Sequence, residues 1–145
     1  MIELVATTII TVSSVLLFGY WFRYTCLLIL SAKTAQDFAG DVATANRLGF
    51  LEVQSQLRAQ VADLGPLCET LDRDYAVLSR LLREGGEISA ENRMLSIHYS
   101  LTRAWYRASS HVSAAAARRA LEEMSMTLAH FANVTGEQAL GSAAA

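Results

Sequence analysis

The chain has 145 residues, 52% of them hydrophobic, and a formal net charge of −2. That length leaves room for one modest helical core beside an apolar segment, and not for two cores. Near-neutral charge with no concentrated basic run argues against a nucleic-acid binder, which needs a basic face for the phosphates.

One Pro and eight Gly favour long helices over a turn-rich β fold. The twelve basic residues are Arg apart from Lys33, which we read as a bias of the source genome. Cys26 and Cys68 have neither metal-site nor redox spacing and do not make a disulfide framework.

Leu4 to Phe22 is an uncharged run, LVATTIITVSSVLLFGYWF. At about 1.5 Å per residue it matches the roughly 30 Å hydrocarbon layer of a bilayer. Tyr20, Trp21, Phe22 and Tyr24 form an aromatic belt beside Arg23, where the layer would end. A secretory signal is the competing reading, against which Met1-Ile2-Glu3 offers no basic start and the apolar run is too long. Residues 1–33 are therefore expected to be a single transmembrane anchor with its interfacial segment. Arg23 and Lys33 follow the span, which puts the C-terminal part in the cytoplasm by the positive-inside rule. Within the span Thr7, Thr11 and Ser14 share one face and suit lateral packing against another helix, or bond their own helix carbonyls.

Residues 34–134 read as a small helical-hairpin or three-helix bundle, so the fold class is all-α. Its first helix, 34–64, carries a ladder of Ala35, Ala39 and Ala43 that permits close helix contact. A bulkier stripe of Phe50, Val53, Leu57, Val61 and Leu64 follows. Gly65-Pro66 breaks the chain and opens a second helix, 66–84, with Leu67, Leu71, Tyr75, Leu78 and Leu82 on one face. Gly85-Gly86 ends it, and Ser89 is placed to cap a third helix, 89–133. Residues 135–145, with two Gly and a run of Ala, are expected to form a flexible tail.

The third helix has two apolar faces. Met94, Ile97, Leu101, Trp105, Ala108 and Val112 occupy one sector and are expected to face the core. Tyr99, Arg103 and Tyr106 lie opposite, and the later Leu121, Met124, Leu128 and Phe131 fall on that same opposite side. The stripe thus switches faces near Ala114–Ala117, either through a break around Ser109-Ser110 or because one long helix meets two partners. Tyr99, Arg103 and Tyr106 are the candidate interface, the alternative being that the first helix covers this face within the same subunit.

No catalytic motif is present. His98, His111 and His130 lack ligand partners at i+3 or i+4, and Gly85-Gly86 has neither the Lys nor the strand of a phosphate loop. The sequence therefore implies no enzyme, cofactor or metal. The expected role is a membrane-anchored scaffold or accessory subunit. Its partners would be the lipid bilayer and either copies of itself or a larger membrane complex, with no nucleic acid. A small subunit of a redox or transport complex, or a signalling adaptor, is the alternative.

Overall fold

The computed structural model describes residues 1–31, 37–60, 63–86 and 89–144. The chain is all-helical, with no strand among the described residues, and divides into two units, 1–32 and 33–145.

The first unit is α1 (Ile2–Ser31), a 30-residue helix with no apolar–polar asymmetry around its axis. Its hydroxyls are turned back onto the helix: Thr7 Oγ1 donates to the Glu3 carbonyl at 2.8 Å, and Thr11 Oγ1 to the Thr7 carbonyl at 2.8 Å.

The second unit contains α2 (Ala39–Asn46), α3 (Phe50–Arg58), α4 (Gly65–Glu84), α5 (Ala90–Ser109) and α6 (Ala114–Ala144). The expected single helix over 34–64 is thus two. Arg47 adopts the left-handed conformation at φ 54°, and the Leu48 N–H closes α2 on the Ala43 carbonyl at 2.8 Å. A new helix then starts at Phe50 although Gly49, its N-cap residue, has no side chain to cap it. The acceptor comes from α4 instead: Asp74 Oδ2 takes the Gly49 N–H at 2.7 Å. Gly49 is also required sterically, because a Cβ there would lie 2.7 Å from the Thr70 methyl.

Of the two alternatives for the third segment, the break after Ser109 is the one found. Residues 110–113 turn between α5 and α6, and Ser113 Oγ accepts the Ala116 N–H at 3.3 Å to start α6. Ser89 caps α5 by accepting the Asn92 N–H at 3.2 Å. The end expected at 133 does not occur, and α6 runs on through Gly136 to Ala144. Gly136 is not a stop signal: a Cβ at this position would overlap the Phe38 side chain, whose backbone N–H donates to Asn133 Oδ1 at 2.8 Å.

α6 is the central element, packing against α2, α3, α4 and α5. Its buried residues include Ala117, Leu121, Met124, Leu128 and Phe131. Around them close Ala39 and Ala43 from α2, Phe50, Val53 and Leu57 from α3, and Leu67, Leu71, Leu78 and Leu82 from α4. Removal of this apolar surface from water is the main stabilising term. Among the described residues no Cα of α4 comes within 8 Å of one in α5, so long side chains bridge these two helices.

Candidate functional site

The bridge between α4 and α5 is built on Asp72. Its Oδ1 accepts from the Tyr99 hydroxyl at 3.0 Å and its Oδ2 from Arg103 Nε at 2.8 Å. The Tyr99 ring stacks on Tyr75 with centroids 4.1 Å apart and planes 3° from parallel. Burial, reinforced by the adjacent Asp72 carboxylate, pushes the Tyr99 phenol far above its ordinary value. It is therefore a fixed neutral donor and not a base. Burial also raises the Cys68 thiol, which makes it a poor nucleophile.

This bridge contains two of the three interface candidates and lies inside the helical unit. Tyr99 is 2% exposed and Tyr106 is buried, leaving Arg103 as the accessible member at 39%. The faces of α5 are the reverse of the expectation. The buried face carries Asn92, Leu95, His98, Tyr99, Thr102, Tyr106 and Ser109, nearly all polar or amphipathic. His98 faces Glu123 of α6, with Nε2 and Oε2 3.8 Å apart. The sector expected in the core points outward, with Ile97, Leu101 and Trp105 exposed at 55%, 57% and 58%. No arrangement of residue types along the helix would have revealed this, because the polar groups are buried by partners on other helices.

Ala39 and Ala43 are buried in α2, which packs on α6, so these rungs of the ladder serve the internal core. Ala35 lies outside the described residues. Thr7, Thr11 and Ser14 are exposed along α1, together with Leu4, Ile9, Leu16, Phe18, Tyr20 and Trp21. α1 is long and apolar enough to cross a membrane. Of the aromatic belt, Tyr20 and Tyr24 stack at 6.4 Å, and Phe18 packs against both Trp21 and Phe22.

A groove of about 280 Å³ opens beside Tyr75, bounded by Arg83 and Asn92. Among the described residues no three His, Cys, Asp or Glu side chains come together as a metal site would need. Among the described residues large apolar side chains are exposed along the first two-thirds of α1 and on the outward face of α5. No protein-family model matches the chain, and neither a curated protein nor a solved structure has significant similarity to it.

Proposed function

We propose that this protein is a membrane-anchored, non-enzymatic helical scaffold or accessory subunit. α1 crosses the bilayer once and the helical unit stands at the cytoplasmic face. One observation carries the reading: α1 keeps 30 residues helical with Glu3 and Arg23 as its charged side chains. At about 1.5 Å per residue this helix is some 45 Å long, enough to cross the hydrocarbon with tilt and enter the headgroups. From Ile2 to Trp21 its apolar side chains are solvent-exposed, which costs least where the solvent is lipid, whereas Cys26 is buried and Phe22, Leu27, Ile29 and Leu30 are half-buried. The threonine hydroxyls suit the same environment, since bonding to carbonyls of their own helix leaves no orphan donor in hydrocarbon. Arg23 and Lys33 after the span favour the cytoplasmic side for the helical unit.

With Ala39 and Ala43 inside the core, lateral association falls to α1. There Thr7, Thr11 and Ser14 offer a hydroxyl-bearing strip through which copies of the chain or a larger membrane complex would pack. Alkaline carbonate extraction of native membranes, followed by protease treatment of sealed vesicles, tests the reading. The chain should stay in the pellet, with its helical unit digested only from the cytoplasmic side. Release into the supernatant, or a mature chain starting beyond α1 as a cleaved signal would leave, refutes the anchor.

A further inference from the structure

We infer that the outward face of α5 lies on an anionic lipid surface, as a second, interfacial membrane contact of this chain. The inference rests on α1 being the anchor.

Three observations point the same way. α5 is amphipathic with its apolar side turned away from the protein core. Ile97, Leu101, Trp105 and Ala108 form one exposed strip while Asn92, His98 and Thr102 are buried. A helix that buries its polar side inside the protein and presents its apolar side outward needs an apolar counterpart. The composition of that side matches the headgroup boundary. Trp105 sits mid-strip with Leu and Ile neighbours, as interfacial helices place them. Val112, in the turn that follows α5, extends the strip and is 87% exposed.

Charge supplies the second argument. At one hundred degrees per residue Arg93 and Arg107 fall along one edge of the strip with Ser100 between them. Both are exposed, and neither forms an ion pair among the described residues. The other edge has one charge, Glu91, in the first turn. Two unpaired guanidinium groups beside an apolar strip complement acidic lipid headgroups, which they meet while the apolar side chains sink beneath. A self-complementary contact with a second copy has one acid, Glu91, to set against the two arginines of each strip. Lipid is therefore the favoured occupant.

Covalent connection supplies the third. α1 ends at Ser31 and α2 begins at Ala39, eight residues later (39 − 31 = 8), a length of chain that reaches at most about 28 Å. A helical unit so tethered cannot leave a bilayer that α1 crosses, and even a weak surface contact is then occupied much of the time.

The two tryptophans make the test clean, because one is in each surface. Full-length protein is reconstituted into phosphatidylcholine vesicles, with or without phosphatidylglycerol, whose acyl chains carry bromine near the headgroup. Trp21→Phe leaves Trp105 as sole emitter, and Trp105→Phe leaves Trp21. Trp105 emission should be blue-shifted and quenched by bromine, more so with phosphatidylglycerol. Arg93→Glu and Arg107→Glu should each shift the docked-to-free ratio about fivefold or more toward free. Quenching of Trp21 without Trp105 overturns the α5 contact and leaves the anchor standing. Quenching of neither removes the anchor reading and the inference together. A blue-shifted but unquenched Trp105 that turns red on dilution into excess lipid assigns the strip to a second copy, and also overturns it.

Discussion

The capping of α3 by Asp74 gives the sharpest prediction for the helical unit. Asp74 is fully buried, and its Oδ2 receives the Gly49 N–H at 2.7 Å where α3 begins. Asp74→Ala leaves that N–H without a partner in the interior, a loss of about 1–3 kcal/mol. Loss of a helix cap, typically about 1 kcal/mol, falls within the same range. A change of about 2 kcal/mol lowers the unfolding midpoint of a unit this size by roughly 10 °C. Asp74→Asn behaves differently. Its side-chain carbonyl still accepts from Gly49, while the charge that burial disfavours is gone.

The pH dependence has a definite sign. Burial raises the Asp74 carboxyl above its ordinary 3.8, against the opposing pull of the Gly49 N–H and of Arg73. The folded state therefore holds this proton more tightly than the unfolded chain. Its favourable contribution is complete in acid below the ordinary value, is lost as pH rises through the raised one, and stays constant above it. Wild type should thus lose stability relative to Asp74→Asn over that interval, and Asp74→Ala should be the least stable of the three near neutrality. Guanidinium unfolding of the full chain in detergent micelles, followed by far-UV circular dichroism, measures this, since α1 stays helical in micelles. Comparing the two chains at each pH cancels all other titrating groups. Equal stability of Asp74→Ala and wild type, or a pH-independent gap to Asp74→Asn, refutes the reasoning.

Two further predictions concern the interior. Tyr99→Phe keeps the stack on Tyr75 but deprives Asp72 Oδ1 of its donor, and should cost about 1 kcal/mol in the same unfolding assay with helicity unchanged. Were Tyr99 part of an outward interface, the substitution would leave stability untouched. Gly136→Ala should destabilise by about 1–3 kcal/mol because the added methyl overlaps Phe38, despite the better helix propensity of Ala. Gly141→Ala in the same helix meets nothing within 4 Å and should be neutral or stabilising by a few tenths of a kcal/mol, which thermal melts of the pair will resolve.

Much of the helical content was legible in the sequence. The stripes Phe50-Val53-Leu57 and Leu67-Leu71-Leu78-Leu82 are buried as their spacing requires, and Gly65-Pro66 and Ser89 mark helix starts. The misreadings have a common cause. The break at 47–49 depends on Asp74, twenty-five residues away, and the continuity of α6 through Gly136 depends on Phe38. Local propensity cannot register partners that arrive from another helix. The inversion of α5 is the same failure at the level of a whole face. Periodicity correctly located two faces, but the polar one is satisfied inside by Asp72, Tyr75 and Glu123.

The central place of α6 has a consequence for synthesis. α2, α3, α4 and α5 leave the ribosome before it, yet each depends on α6 for core contacts, and α5 meets α4 through long side chains such as Tyr99 and Arg103 without close backbone approach among the described residues. Until Leu121, Leu128 and Phe131 emerge, the earlier segments can close only in part, chiefly α3 against α4. The pairings of α2 and α3 with α6 are long-range in sequence, which slows folding and prolongs the exposure of sticky surface. A premature stop near residue 113 would therefore yield not a smaller domain but a set of open helices for the cell's quality control to clear.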